Sequence, residues 1–168
     1  MKRIATELDF ELVMITNQDG MGTVSFPENT FWPVQNFVIK SLANEGINFA
    51  EIFIDSSFPK DNAPTRKPGT GMLKQYINNP GYDLTGSFVI GDRITDVQLA
   101  KNLGCKAIWL NNDADLGATE INDNQLALQA TIALETINWK DIYEYLKLGE
   151  RTVQHERNTN ETKITIRI

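Results

Sequence analysis

The stretch Val89-Ile90-Gly91-Asp92-Arg93-Ile94-Thr95-Asp96 carries the pattern that decides the fold. The apolar run at residues 87–90 is typical of a buried strand in a parallel sheet, and Gly91 allows a sharp turn after it. Asp92 then lies at the carboxyl end of that strand, and Asp96 begins a helix that we expect to reach residue 103. Ligands of open α/β sheets bind at this edge, and carboxylates suit Mg²⁺. The stretch alone leaves two interpretations open: a magnesium site, or a helix cap at Asp96 beside a solvated Asp92.

The bulk composition excludes several classes of protein. The chain has 168 residues, a formal net charge of −6 and a pI near 4.8, which argue against a nucleic-acid-binding surface. The sequence contains no apolar run long enough to cross a bilayer, and its first residues are basic without an apolar segment, so we expect a cytoplasmic protein that does not bind membranes. Cys105 is the only cysteine, which excludes an intrachain disulfide and a zinc site built from cysteines.

Strand-like and helix-like segments alternate along the chain. Strands are predicted at residues 11–15, 49–54, 87–90 and 106–110. Helices are predicted at residues 31–44, 71–77, 96–103, 126–134 and 139–148. Such alternation is typical of a doubly wound α/β domain with a parallel sheet.

Three packing expectations follow from the spacing of apolar residues. The helix at residues 31–44 is expected to face the core through Val34, Phe37, Val38 and Leu42. Trp139 is expected in the core. The polar residues 111–124 are expected to form a surface loop.

Two further polar clusters follow predicted strands. Thr16-Asn17-Gln18-Asp19-Gly20 offers hydroxyl, amide and backbone donors that suit a phosphate, although a plain Asp-Gly turn explains the same residues. Arg66-Lys67-Pro68 precedes the helix predicted at residues 71–77. We expect Pro68 to form its first turn, which would place Lys67 at a helix N-terminus where an anion is favoured. An exposed, solubilising lysine is the alternative.

The chain changes character after residue 149. The following residues are charged and polar, and residues 163–168 then alternate polar and apolar as a half-buried antiparallel strand does. We therefore predict an α/β domain at residues 1–149, followed at residues 150–168 by a linker and the first strand of a second domain.

The three clusters, taken in order, resemble the motifs of the haloacid dehalogenase superfamily of phosphotransferases. The resemblance implies that Thr16 binds phosphoryl oxygens and that Lys67 neutralises the phosphoryl group during catalysis. It implies that Asp92 and Asp96 bind Mg²⁺.

The residues of two clusters, Thr16-Asn17-Gln18-Asp19-Gly20 and Arg66-Lys67-Pro68, are similar to those of the histidinol-phosphatase branch. This branch also includes heptose-bisphosphate phosphatases. This resemblance implies that Asn17, Gln18 and Arg66 bind the phosphate side of a small phosphate ester. Residues 157–164 resemble the opening of imidazoleglycerol-phosphate dehydratase. The combination implies a bifunctional histidine-biosynthesis enzyme and favours histidinol phosphate over a sugar phosphate.

The sequence departs from the family at two places. The family's first motif, an apolar strand ending in Asp-x-Asp-Gly-Thr, does not precede Thr16, and its first Asp is the nucleophile. The loop at residues 55–65 lacks the Cys and His that bind zinc in some relatives, so we expect no zinc.

Without the first motif, we expect these 168 residues to be inactive and to lack the sheet's central strand. An unstable fragment, a rearranged sheet or a strand borrowed from another chain, such as residues 163–168, would follow, with self-association through unpaired strands. A non-catalytic interaction module and a sugar-phosphate phosphatase remain as alternatives. A receiver-like domain is disfavoured because no acceptor Asp suitably precedes Thr16.

Overall fold

The apolar stretches of the chain form short parallel strands in two groups. The structure, a computed structural model, describes residues 1–150 and the backbone of two later strands, with side chains up to residue 149. Strand β1 (Val13–Asn17) pairs with β2 (Glu51–Asp55), and the second group has the order β3 (Phe88–Gly91), β4 (Lys106–Leu110), β5 (Ile132–Thr136). This arrangement confirms the doubly wound α/β class.

α-Helices lie before, between and after these parallel strands along the chain. They are α1 (Lys2–Glu7), α2 (Glu28–Asn44), α3 (Lys74–Ile77), α4 (Ile94–Leu103), α5 (Gln125–Leu128) and α6 (Trp139–Glu150). None of the helices in the described part of the chain has the length and apolar character needed to span a membrane.

Strand β4 lies between two apolar clusters because successive side chains of a strand point to opposite faces. Ala107 and Trp109 pack in one cluster with residues of α4, whereas Ile108 packs in the other with residues of α1 and α6. A third cluster, built around Leu99, joins residues of β1 and β2 to Val89 of β3. Apolar packing on one face thus holds the two groups of strands together.

A cleft separates the two groups of strands. In the described residues β1 and β3 pair only with β2 and β4 respectively, so each keeps an edge without a strand partner. A cavity of about 720 Å³ lies between these edges, lined by Val13 and Ile15 on one side and Phe88 and Ile90 on the other. The expected gap at the centre of the sheet is therefore present without rearrangement of the remaining strands.

The predicted helix at residues 126–134 is wrong. Only Gln125–Leu128 is α-helical, and Ile132–Thr136 forms strand β5 beside β4. Pairing along the free edge of β4 favours extended backbone here, an advantage that the spacing of apolar residues does not reveal.

The exposure of α2 and Trp139 also differs from the expectation. Val34 and Phe37 are 64% and 71% exposed, Val38 and Trp139 are exposed as well, and only Leu42 of the predicted face is half-buried. Helix α2 lies beside a sheet of two strands, as the contact of Gln35 with Met14 shows. A sheet of only two strands does not cover the whole apolar face of α2, so part of that face is exposed.

Lys67 does not precede a helix directly, which corrects the predicted role of Pro68. Residues 64–71 form a tight loop in which the Gly69 amide donates to the Arg66 carbonyl and the Gly71 amide donates to the Pro64 carbonyl. The helical segment begins with a 3₁₀ turn at Gly71–Leu73 and becomes α-helical only at Lys74. The positive charge that would attract an anion at this position must therefore come from side chains and not from a helix N-terminus.

The strand predicted at residues 163–168 is confirmed as β7 (Lys163–Arg167). It pairs in antiparallel register with β6 (Gln154–Asn158), so part of the predicted linker is a strand and β7 is not the first strand after residue 149. Backbone pairing needs no apolar side chains, and the polar composition of residues 154–158 concealed the strand. The predicted boundary between domains at residue 149 stays a prediction.

Candidate active site at the end of the cleft

Lys67 is fixed in place from two directions. The Asn17 side chain donates from Nδ2 to the Lys67 carbonyl over 3.1 Å and accepts from the Lys67 amide over 3.0 Å, which ties this loop to the end of β1. The Lys67 ammonium donates to Asp96 Oδ1 over 2.8 Å, and both side chains are largely buried, with 14% and 7% exposed. Because the ammonium also lines the cleft, it carries its positive charge to the carboxyl end of the strands.

Asp96 caps α4, which is one of the two roles that the sequence left open, and it also pairs with Lys67. Its Oδ1 holds Lys67, and its Oδ2 accepts a hydrogen bond from the Arg93 amide at the start of α4. A Cβ at Gly91 would lie 2.1 Å from Asp96 Oδ2, so a residue without a side chain is required there. Gly91 therefore permits both the close approach of the Asp96 carboxylate and the turn after β3.

Thr16 lies at the end of β1 with its hydroxyl oriented by a neighbour. Gln18 donates from Nε2 to Thr16 Oγ1 over 2.8 Å, which leaves the hydroxyl hydrogen of Thr16 available to a ligand. The predicted phosphate-binding residues Asn17 and Gln18 are thus engaged with Lys67 and Thr16. Their roles toward a phosphate stay predictions.

Asp92 and Asp96 supply the oxygen ligands that Mg²⁺ prefers. Asp92 is exposed and borders the cleft, whereas both oxygens of Asp96 already accept hydrogen bonds. No three Asp, Glu, His or Cys side chains form a metal-binding group within residues 1–149. Mg²⁺ commonly binds one or two carboxylates together with water and phosphate oxygens, so the two residues fit this ion. Their assignment as ligands stays a prediction.

Arg66 is buried in an ion-pair network that we call the entrance bridge: Asp19, Arg66, Arg93 and Glu120. Arg66 donates to Asp19 Oδ1 over 2.6 Å and to Glu120 Oε2 over 2.6 Å, and Arg93 donates to Glu120 Oε1 over 2.6 Å. Burial lowers the pKa of the Arg66 guanidinium, but its hydrogen bonds to the two carboxylates outweigh that effect and raise the pKa.

Asp19, Arg93 and Glu120 were not among the residues predicted for this site. Glu120 lies in residues 111–124, which we predicted as a surface loop, yet its side chain is only 16% exposed. A single Glu in a polar segment gives no signal of such a role, because only the tertiary structure brings it to Arg66.

Asp55 at the end of β2 organises the loop that leads to Arg66 and Lys67. Its carboxylate accepts from the Ser57 amide and hydroxyl and, over 2.5 Å, from the Thr65 hydroxyl. Burial raises the pKa of this carboxyl group. The three hydrogen bonds and the Arg66 charge act in the opposite direction and lower it overall. Asp55 thus joins the two ends of the loop at residues 55–65.

We expect the Asp55 carboxylate to make stability depend on pH. Because its pKa is lower in the folded state, the unfolded state binds more protons at acidic pH. Its contribution is fully present above the ordinary carboxyl pKa of about 3.9 and is lost as pH falls through the folded pKa. Urea unfolding of Asp55→Asn at several pH values should show a loss of about 1–3 kcal/mol at pH 7 that shrinks below pH 4. An unchanged loss at acidic pH would contradict this role.

Comparisons with known proteins identify a family match, similar proteins and a shared fold. Residues 64–132 match the HAD-hydrolase-like family model. The chain is 55% identical over 163 residues to the histidine biosynthesis bifunctional protein HisB of Bacteroides fragilis, covering 97% of this chain and 42% of the relative. It is 52% identical over 171 residues to HisB of Spirosoma linguale, covering all of this chain and 44% of the relative. The chain therefore spans about two fifths of the length of these curated relatives.

A solved structure shares the fold at low sequence identity. The D,D-heptose 1,7-bisphosphate phosphatase of B. bronchiseptica, complexed with magnesium and phosphate, superposes with a TM-score of 0.68 at 22% identity, covering 88% of this chain and 79% of that chain. The matches lead to one conclusion: residues 64–132 belong to the HAD-hydrolase-like family, and the chain is homologous to about two fifths of HisB.

Proposed function

We propose that the chain forms the substrate-binding side of a magnesium-dependent phosphatase that hydrolyses histidinol phosphate in histidine biosynthesis. The names of the HisB relatives support histidine biosynthesis and a bifunctional protein. The magnesium and phosphate in the heptose-bisphosphate phosphatase support the cofactor and the reaction class.

One observation carries the proposal: Lys67 joins the ends of β1 and β3 at the mouth of the cleft. Asn17 of β1 clamps its backbone, and Asp96, which follows β3, holds its ammonium group. Three segments that are distant in sequence therefore present a hydroxyl, an ammonium and a carboxylate at one edge. This set is suited to a phosphoryl group bound beside a divalent cation.

Different residues of the chain would have different roles in phosphoryl transfer. The Lys67 ammonium would stabilise negative charge on the phosphoryl oxygens, and the Thr16 hydroxyl would donate a hydrogen bond to one of them. Asp96 would keep Lys67 aligned, and Asp92 would hold Mg²⁺. When bound, Mg²⁺ supplies positive charge that polarises a phosphoryl oxygen.

The nucleophile would come from a strand that enters the cleft. These 168 residues contain no Asp-x-Asp-Gly-Thr sequence, and the cleft between β1 and β3 offers two strand edges for parallel pairing. A carboxylate at the end of an inserted strand would lie near Lys67 and attack phosphorus, which breaks the bond to the ester oxygen, releases the alcohol and forms an aspartyl-phosphate. Water would then hydrolyse the aspartyl-phosphate to inorganic phosphate and the free carboxylate. We therefore expect the 168-residue chain to bind phosphate weakly and not to turn over phosphate esters.

Phosphate binding tests the role of Lys67 independently of turnover. Titration of the 168-residue chain with inorganic phosphate in the presence of Mg²⁺, followed by NMR, should give a Kd that rises at least about tenfold in Lys67→Met, because a charge-assisted hydrogen bond is lost. Lys74→Met removes the same charge from an exposed position of α3 and should leave the Kd unchanged. Equal effects of the two substitutions would contradict the proposed site.

A further inference from the structure

We propose that Glu120 is a specificity-determining residue that denies a second anionic group of a substrate its binding site. The inference rests on the proposed phosphatase function and implies that a second anionic group gains no affinity in the native chain.

Glu120 occupies the position that a second anion would take. One of its carboxylate oxygens accepts from Arg66 and the other accepts from Arg93, each over 2.6 Å. Guanidinium groups bind carboxylates and phosphates in this manner, so the two arginines form an anion-binding pair that the chain itself fills. Arg66 and Arg93 adjoin Lys67 and Asp92 in sequence, and the Arg93 amide donates to Asp96, so this filled pair lies beside the proposed site.

The entrance bridge has a net charge of zero, so it has no excess positive charge to attract a second anion. Its two guanidinium groups are balanced by the carboxylates of Asp19 and Glu120. An incoming phosphate would have to displace Glu120 from a largely buried position and leave its carboxylate without a partner. Separating a buried ion pair in this way is costly.

The segment that carries Glu120 is fastened to α4 and the residues before it. The Ile94 amide donates to the Leu116 carbonyl, and the Asn122 amide donates to Gln98 Oε1. Gly117 packs against Arg93 and Thr95 with a φ of +86°, where a side chain would be strained. Glu120 is thus fixed toward the arginines from both sides along the chain.

Binding of two matched sugar phosphates tests the inference on the 168-residue chain. Fructose 6-phosphate carries one phosphate and fructose 1,6-bisphosphate carries two. We expect the native chain to bind them with Kd values within about twofold, and Glu120→Gln to bind the bisphosphate about tenfold more tightly than the monophosphate, because freed guanidinium groups form new charge-assisted hydrogen bonds. The side-chain NMR signals of Arg66 and Arg93 should shift with the bisphosphate only in Glu120→Gln.

Three further variants control the experiment. Asp123→Asn removes a carboxylate of the same segment, paired with Lys101 over 2.8 Å, and should behave as the native chain. Adding Arg93→Met to Glu120→Gln should abolish the gain. Glu120→Asp, whose shorter side chain should not reach both arginines, should give an intermediate gain and tests the inference if the Gln variant does not fold.

The outcomes separate this inference from the function on which it rests. If Glu120→Gln or Glu120→Asp shows no preference for the bisphosphate while the monophosphate still binds and requires Lys67, the specificity role of Glu120 is wrong and the phosphate site stands. If the native chain binds neither sugar phosphate nor inorganic phosphate, the proposed function is wrong and the inference is wrong with it.

Discussion

Extending the chain at its amino end with an apolar strand that ends in Asp-x-Asp-Gly-Thr is expected to convert a polypeptide that we predict to be inactive into a phosphatase. We expect phosphate release from histidinol phosphate to rise from the blank level to a kcat of about 1–10³ s⁻¹ with Mg²⁺ present. The physical reason is that the strand would fill the cleft between β1 and β3 and bring an attacking carboxylate to Lys67 and Asp92. Release of inorganic phosphate measures the effect directly.

The matched control is the same extension with the first Asp of the added motif replaced by Asn. It should fill the cleft equally but form no aspartyl-phosphate, so it should fold like the active chain without turnover. Phosphate release by the 168-residue chain, abolished by Asp92→Ala, would contradict the prediction because it would require a nucleophile already present in these residues.

The same extension should also change stability and association. Each buried backbone group left unpaired at an edge of the cleft costs about 1–3 kcal/mol, so an added strand should raise the melting temperature of either extended chain. The predicted self-association through free strand edges should decrease in parallel, as measured by sedimentation. A 168-residue monomer that melts cooperatively at the same temperature as the extended chain would show that the open cleft has no such cost.

Asp96→Ala is expected to cause the largest loss of stability among the site substitutions. The change removes the partner of a nearly buried ammonium group, and such losses typically cost about 3–5 kcal/mol. It also removes the carboxylate that accepts the Arg93 amide at the start of α4, a contribution of about 1 kcal/mol in other helices. Urea unfolding should therefore show a clearly lower midpoint, or no cooperative transition.

Asp92→Ala is the matched control, because Asp92 lies in the same short loop but is exposed to solvent. This substitution should change the unfolding free energy by less than about 0.5 kcal/mol. Its effect should appear instead as weaker Mg²⁺ binding in a titration, since Asp92 is the carboxylate free to face the cation. Equal losses of stability in the two variants would contradict the division of roles between Asp92 and Asp96.

The sequence alone determined the architecture and the ingredients of the site. The alternation of apolar strands with helices predicts the α/β class, and the strand at residues 106–110 is placed correctly to the residue. Polar clusters at the ends of the strands pointed to Thr16, Lys67, Asp92 and Asp96. Such local signals are reliable because a buried strand followed by a glycine and a carboxylate restricts the backbone regardless of what surrounds it.

Only the tertiary structure decided which contacts the candidate site residues make with one another. Local sequence predicted Asp96 equally well as a cap or as a ligand, and the structure shows that it caps α4 and holds Lys67. Strand β5 and the role of Glu120 were invisible because each depends on partners distant along the chain. Residues 132–136 become a strand because the edge of β4 pairs with them. Glu120 is held beside the site because the guanidinium groups of Arg66 and Arg93 bind its carboxylate. Pairing edges and opposite charges act through space, so their effect on a residue appears only once the chain has folded.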